Sequence, residues 1–273
     1  MKTVFNLRGG RKFSVGEKTL VMGVVNVTPD SFSDGGKFFS ADAAINHAEK
    51  LFDLGADIID LGAESTRPDA VPISADEEIS RLEKILPALK NFPAPISIDT
   101  YKPEVAARSL ELGADIINDV HGLEDSRMID VAKNFDAPVI AGHFDKCSTG
   151  DIVGDVQKFF RRTAANCSAH DFDTTKIIFD PGIGFGKTFD EDLTLIKKIS
   201  ALKILDGREI FLSLGVSRKR VVGKLTGLAI DERDEATGAL CVHAALNGVD
   251  LVRVHNVKLI SPMIRAINAL LDE

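Results

Sequence analysis

One stretch of this sequence occurs twice. Leu54-Gly55-Ala56-Asp57-Ile58-Ile59-Asp60 returns as Leu112-Gly113-Ala114-Asp115-Ile116-Ile117-Asn118. In each copy a helical pattern stops at a glycine, which tolerates the left-handed backbone that ends a helix, and the chain passes directly into a β-branched run. A unit that closes one helix and opens the next strand, used more than once, commits the chain to β/α alternation and so to parallel strands.

The alternation extends in both directions. Apolar, β-branched runs predict strands at Leu20–Val25, Asp57–Leu61, Pro95–Ile98, Ile116–Ile117, Val139–Ala141, Lys176–Phe179, Ile210–Leu214 and Leu251–Val254. Between them, Ser40 is placed to cap a helix with an Ala44, Ile45, Ala48, Leu51, Phe52 stripe. Ser74 with Glu77 is placed to open one reaching about Lys90, and Pro103 to start one ending near Leu112. Further helical patterns fall near 126–135, 151–169, 190–205, 219–225 and 233–246, with a last helix after Ser261. Eight such units predict an α/β fold, a TIM (β/α)8 barrel; an open doubly wound sheet is the rival. Before the first barrel strand, Val4–Leu7 and Lys12–Val15 flank a turn containing paired glycines, a β-hairpin placed to cover one end of the core. With no linker in 273 residues, a single domain over 1–273 is expected.

The net charge of -8 argues against general nucleic-acid binding. Cys147, Cys167 and Cys241 have neither zinc spacing nor a secreted disulfide pattern. Without a signal-like segment or a stretch long enough to span a bilayer, no membrane association and a cytoplasmic location are expected.

The polar residues fall in a pattern. Asn26, Glu64 to Arg67, Asp99, Asn118, His143, Asp180, Ser217 to Lys219, Arg253 and His255 all lie at or just past strand C-terminal ends, which in a barrel share one face. Asp99, Asn118 and Asp180 offer carboxylate and amide groups suited to the donor and acceptor edge of a flat heterocycle, although each alone fits equally well as a loop cap. Arg67, Lys219, Arg253 and His255 form a cation group suited to a phosphate or pyrophosphate. Arg253 interrupts the apolar run Leu251, Val252, Val254, so its burial requires a compensating negative group. Asp180-Pro181-Gly182-Ile183-Gly184-Phe185-Gly186-Lys187 is neither a P-loop, since Pro181 occupies the first glycine position, nor a dinucleotide fingerprint. Asn26 opens an oxygen-rich loop where magnesium could bridge protein and substrate phosphates. His143 has no serine or cysteine nucleophile placed beside it, and Cys147 no feature that favours a thiolate.

Together these stretches closely resemble the dihydropteroate synthase family. The resemblance is carried by Met22 to Gly36, Gly62-Ala63-Glu64-Ser65-Thr66-Arg67-Pro68, Ser97-Ile98-Asp99-Thr100, Asn118-Asp119-Val120, Asp180 to Lys187, Ser217-Arg218-Lys219 and Arg253-Val254-His255. It implies a TIM-barrel transferase that joins 6-hydroxymethyl-7,8-dihydropterin diphosphate to 4-aminobenzoate, with Mg2+ as cofactor and usually as a homodimer. By that resemblance Asp99, Asn118, Asp180 and Lys219 would bind the pterin. Asn26, Arg67, Arg253 and His255 would engage diphosphate, directly or, as for Asn26, through magnesium. Thr66, Arg67, Pro68, Phe185 and Lys219 would form the aminobenzoate site, with Arg220 at its rim. The catalytic group would be Asp99, Asp180, Lys219, Arg253 and His255.

The chain departs from the family pattern at Asp69, Gly142, Arg220, Glu235 and Asn256. Gly142 stands where a methionine commonly packs on the pterin, and losing that side chain is expected to leave space there unless another group fills it. Asp69 and Arg220 lead to the expectation of an altered arylamine pocket with weaker sulfonamide binding. The alternatives are a pterin-binding methyltetrahydrofolate:corrinoid methyltransferase, disfavoured by Ser65 to Pro68 and Ser217 to Lys219, and a non-catalytic pterin-binding protein.

Overall fold

A computed structural model of the chain describes residues 2–7, 10–27, 41–64 and 71–271. Strands β1 (Thr3–Asn6) and β2 (Lys12–Val15) pair antiparallel, as the glycine-containing turn predicts. Then come β3 (Leu20–Asn26), α1 (Ala41–Asp53), β4 (Ile58–Gly62), α2 (Ala75–Leu82), α3 (Leu86–Leu89), β5 (Ile96–Asp99), α4 (Pro103–Leu112), β6 (Ile116–Asp119), α5 (Ser126–Phe135) and β7 (Val139–Gly142). The second half runs α6 (Ile152–Ala169), β8 (Ile177–Asp180), α7 (Phe189–Lys197), a two-residue hairpin of β9 (Ile204–Leu205) and β10 (Arg208–Glu209), β11 (Phe211–Leu214), α8 (Arg220–Thr226), α9 (Asp234–Leu246), β12 (Leu251–Val254) and α10 (Val257–Leu271). The parallel strands close in the order β11-β12-β3-β4-β5-β6-β7-β8, an eight-stranded TIM barrel.

Both echoes end a helix as expected, with Gly55 at φ 97° and Gly113 at φ 117°. The aspartate that follows works the same way in each. Asp57 Oδ2 accepts from Val21 N (2.9 Å) and Asp115 Oδ2 from Ile96 N (3.0 Å), so each carboxylate fastens the foot of its own strand to a neighbouring one. A third copy, Gly248-Val249-Asp250, escapes a search by sequence because less of it repeats; Asp250 Oδ2 accepts from Leu212 N at 2.8 Å.

Each of these carboxylates also meets a cation, Lys18, Arg11 or Lys203 respectively. Arg11, from the hairpin, joins Asp115 (2.6 Å) and the Phe92 carbonyl (3.1 Å), anchoring the hairpin under the barrel. There Phe5, Leu7, Phe13 and Val15 close a cluster with Leu20, Met22, Ile58, Ile116, Ile140, Ile178, Phe211 and Leu251, the inward side chains at the N-terminal ends of the strands. Burying a phenylalanine such as Phe5 contributes about 1.5–3 kcal/mol. The hairpin thus plugs the N-terminal end, opposite the mouth formed by the strands' C-terminal ends.

Three helix expectations are corrected. The helix opened by Ser74, whose side chain accepts from Glu77 N (3.2 Å), stops at Leu82 instead of continuing to Lys90. Pro87 lacks the N–H that would continue the ladder, and the chain restarts as α3. The pattern over 190–205 ends as a helix at Lys197 and tightens into a 3-10 turn over Ile199–Leu202. The last helix starts at Val257, not after Ser261, and carries Pro262 in its interior. The proposed Ser40 cap lies outside the described residues. Among the described residues no helix is long and apolar enough to cross a membrane.

Candidate active site

Strand alternation turns every second residue into the barrel, and the register brings the polar ones to one level. Asp99 lies beside Asn118, Asn26 beside Gly62 and Gly142 beside Asp180. Gly62 has a positional role: a Cβ there would stand 3.6 Å from the Asp99 Cβ and 3.9 Å from Asn26 Oδ1, so the missing side chain leaves Asn26 and Asp99 facing one space. Asp99, Asn118, Asp180, Lys219 and Arg253 therefore converge on one mouth.

Arg253 finds the carboxylate its burial requires, and it finds two. Its Nε donates to Asp60 Oδ2 at 2.6 Å and its Nη2 to Asp99 Oδ2 at 2.7 Å. Asp60, which the sequence reading missed, is fully buried and also accepts from Asn118 Nδ2 at 3.2 Å. Burial pushes Asp99 up to about 7; the Arg253 guanidinium opposes that rise and the Asp60 charge adds to it. Asp60 Oδ1, Asp99 Oδ1 and Ser97 Oγ are buried without a hydrogen-bond partner among the described residues. Buried polar atoms are normally satisfied, so three orphans in one barrel point to a ligand with N–H or O–H groups.

The Asp180–Lys187 loop fixes the opposite wall. Asp180 Oδ1 accepts from Gly182 N at 2.7 Å. Gly182 has φ 67°, and a Cβ there would overlap the His143 carbonyl oxygen, so only glycine fits. Lys187 is buried and donates to the carbonyls of His143 (3.0 Å), Gly182 (2.9 Å) and Phe185 (3.0 Å), which makes it an internal staple of the loop. Lys219 lies along this wall: its Nζ donates to the Ile183 carbonyl at 2.6 Å and stands 4.4 Å from the Phe185 ring centroid. A Cβ on Gly215 would meet both Lys219 Nζ (3.7 Å) and Asp180 Oδ2 (3.9 Å), so the two charges share one corner. Burial brings the Lys219 ammonium down to about 8, with Asp180 opposing the shift.

Other residues take different places. His255 is half-buried, with its backbone N 3.1 Å and Nδ1 2.9 Å from Ser217 Oγ. Arg220 is exposed and donates to the Lys187 carbonyl at 2.8 Å, so it braces the Asp180–Lys187 loop. His143 is buried edge-on against Phe159, and burial brings its imidazole down to about 4, so at neutral pH it is uncharged. The Cys147 thiol is pushed up by desolvation, against any thiolate role. Thr66, Arg67, Pro68 and Asp69 lie outside the described residues.

The expected space at Gly142 is not there for a side chain to enter: a Cβ would stand 3.1 Å from both Val120 Cα and the Val120 carbonyl oxygen. The backbone at Val120 closes over Gly142. Asn256 also has a local reason. Its Nδ2 donates to Asp234 Oδ2 at 2.9 Å, where an aspartate would face a second carboxylate, and Arg218 holds Asp234 with two bonds of 2.7 Å. Nothing in the structure explains Glu235.

Comparison with known proteins supplies the family. The model for pterin binding enzymes matches residues 22–255. The dihydropteroate synthase of Bacillus subtilis (strain 168) is 42% identical over 260 residues, covering 94% of this chain and 90% of that protein. The chain belongs to the dihydropteroate synthase family. Among solved dihydropteroate synthases, the Clostridium difficile structure in the presence of pteroic acid is 40% identical with a TM-score of 0.90, covering 96% of this chain and 100% of that one. The Xanthomonas albilineans dihydropteroate synthase with 4-aminobenzoic acid is 33% identical with a TM-score of 0.92 and full coverage of both chains (100% each). Dihydropteroate synthase activity makes the chain a transferase.

Proposed function

We propose that this chain condenses 6-hydroxymethyl-7,8-dihydropterin diphosphate with 4-aminobenzoate, with the pterin held inside the barrel mouth by Asp99, Asn118 and Asp180. The observation that carries this division of labour is the set of orphaned acceptors, Asp60 Oδ1, Asp99 Oδ1 and Ser97 Oγ, beside Asn118 and opposite Asp180. A pterin edge supplies the N–H groups such acceptors need. Asp180 keeps Oδ2 on the side away from its Gly182 bond and toward Lys219, where it takes ring or amino protons.

The reaction breaks the C–O bond at the pterin methylene and forms a C–N bond to the arylamine, whose surplus proton is then lost. Diphosphate departs with the bonding pair. Positive charge developing on the dihydropterin is offset by Asp99 and Asp180, and negative charge on the leaving group by the cations of the mouth. Arg253 acts first as the partner that orients Asp99 and contributes positive potential; the direct grip on diphosphate falls to His255 and Arg67. Lys219 and Phe185, 4.4 Å apart, form the wall against which the arylamine stacks, with Arg220 bracing the loop behind; Thr66, Arg67 and Pro68 are the further arylamine residues that the family resemblance implies. No protein nucleophile is required, so catalysis is positioning plus electrostatics.

Magnesium fits as a group held mostly by substrate. Among the described residues no cluster of three or more His, Cys, Asp or Glu could hold a metal ion, but Asn26 offers an amide oxygen facing the same space as Asp99. Asn26 would hold it against the diphosphate, where it would neutralise the leaving group. Pairing with a second copy of the chain is supported by the exposed apolar side chains of Leu225, in the last turn of α8, and of Leu228 and Ile230 just after it in the chain.

The test is a calorimetric titration of Asp180→Ala with pterin diphosphate and magnesium. Affinity should fall at least about 100-fold, since charge-assisted bonds of this kind contribute about 1.5–3 kcal/mol each. An unchanged Kd would remove the pterin from this position.

A further inference from the structure

Asp192 has no part in the reaction as described, yet its fully buried carboxylate stands directly behind the Asp180–Lys187 loop. The loop passes into α7 through a reciprocal cap: Thr188 Oγ1 accepts from Glu191 N at 3.3 Å, and Glu191 Oε2 accepts from Thr188 N at 2.6 Å. Asp192, whose own N–H donates to the Thr188 carbonyl at 3.0 Å, is carried in the first turn, where unpaired N–H groups favour a negative charge. Its side chain turns back on the loop. Oδ1 accepts from Gly184 N at 2.7 Å, and Oδ2 is buried without a hydrogen-bond partner among the described residues. Burial pushes this carboxyl up, opposed by the Gly184 N–H and by the Lys187, Lys219 and Arg220 charges.

The Gly184 N–H and the Ile183 carbonyl are the two ends of one planar peptide unit, so neither can turn without the other. Asp192 holds the N–H end, and the Lys219 ammonium donates to the carbonyl end at 2.6 Å. Gly184 has φ 83°, and a Cβ there would stand 3.3 Å from Lys219 Cδ, so the lysine stem lies along the bare face of this same residue. A carboxylate on one end of an amide and an ammonium on the other polarise it in the same sense, and each bond strengthens the other. The start of α7 is already capped by Thr188 and Glu191, so the helix does not need Asp192 to begin.

We propose that Asp192 is a positioning residue for Lys219: by holding the N–H of the Ile183–Gly184 peptide it fixes the carbonyl that receives the ammonium, and so sets where Lys219 stands between Asp180 and Phe185, without touching either substrate. This rests on the assignment of Lys219 to the arylamine wall. Asp192→Ala should weaken 4-aminobenzoate binding about tenfold, a loss of ~1.4 kcal/mol. Asp192→Asn, whose amide oxygen can still accept from Gly184 N, should stay within about threefold of wild type. Asp192→Leu fills similar space with no acceptor; it should lose as much as Asp192→Ala, and it replaces that variant if the alanine cavity prevents folding. On a Lys219→Met background the same changes at Asp192 should weaken binding by less than about twofold more, since the group they act through is gone.

The experiment is equilibrium binding of 4-aminobenzoate to wild type, the Asp192 variants, Lys219→Met and the double variants. Each is saturated with 6-hydroxymethyl-7,8-dihydropterin, diphosphate and magnesium, so binding is read without turnover. Weaker binding in Asp192→Ala or Asp192→Leu, recovery in Asp192→Asn, and disappearance of the effect without Lys219 support the proposal. Equal losses with and without Lys219 overturn it, since the carboxylate would then serve only the fold of the loop. Unchanged affinity in Asp192→Leu while Lys219→Met is weakened also overturns it, and leaves the arylamine wall standing. Unchanged affinity in Lys219→Met removes the wall itself, and the positioning role with it.

Discussion

Asp60→Asn isolates the residue on which the electrostatics of the mouth turn. The substitution preserves size but removes one of the two carboxylates on Arg253. The 2.6 Å bond from Arg253 Nε then ends on a neutral amide, which must also serve Asn118 Nδ2, now at 3.2 Å. A hydrogen bond to a charged partner contributes about 1.5–3 kcal/mol and a neutral one about 1 kcal/mol, so the expected loss of stability is about 1–3 kcal/mol. It stays below the ~3–5 kcal/mol of leaving a buried charge without any partner, because Asp99 still holds Arg253 at 2.7 Å.

The variant also alters pH dependence in a definite direction. Asp99 is raised from 3.8 to about 7 by burial, with the Asp60 charge contributing to the rise. A carboxyl whose folded value exceeds its unfolded value binds more protons in the native state, so its contribution is full below the unfolded value and is lost as pH rises through the folded one. Wild type should therefore lose this contribution between about pH 4 and about pH 7. Without the Asp60 charge the Asp99 value falls, and the decline should be smaller and complete at lower pH. Urea denaturation of both proteins from about pH 5 to about pH 8 measures it. Stability within ~0.5 kcal/mol of wild type together with an identical pH slope would refute the coupling of Asp60, Arg253 and Asp99.

Two further substitutions probe the opposite wall. Gly182→Ala places a Cβ on the His143 carbonyl oxygen at a residue with φ 67°, and should cost about 3 kcal/mol or more in urea denaturation and at least tenfold in pterin affinity; wild-type values would mean the loop relaxes freely. Arg220→Ser releases the brace on the Lys187 carbonyl, and a sulfonamide titration should then show about two- to tenfold tighter inhibition if Arg220 accounts for a weakened arylamine rim; unchanged inhibition would clear Arg220 of that role.

Much of the site was legible because barrel topology converts strand-end positions into neighbours. Asp99, Asn118 and Asp180 could be read as one wall from their place after β-branched runs, and Arg253 from its intrusion into an apolar strand. Asp60 carries the same two signals: it lies among Ile58, Ile59 and Leu61, and in the internal echo it occupies the place of Asn118, to which it is bonded at 3.2 Å. It does not stand out in the sequence because it precedes the strand's end by two residues, and a single sequence does not reveal depth within a barrel. The role of Lys187 was equally hidden, since a lysine closing a glycine loop reads as a ligand group until its three carbonyl acceptors are seen. The closure of Val120 over Gly142 is a backbone approach between the residue that follows β6 and the last residue of β7, and no local pattern encodes it.

Turnover is the most direct test of the site as a whole. Purified chain incubated with 6-hydroxymethyl-7,8-dihydropterin diphosphate, magnesium and 4-aminobenzoate should release diphosphate and 7,8-dihydropteroate in equal amounts, with product absent when 4-aminobenzoate is omitted. Tight pterin binding with no dihydropteroate formed would contradict the account, leaving the barrel mouth a binding site without the chemistry assigned to it.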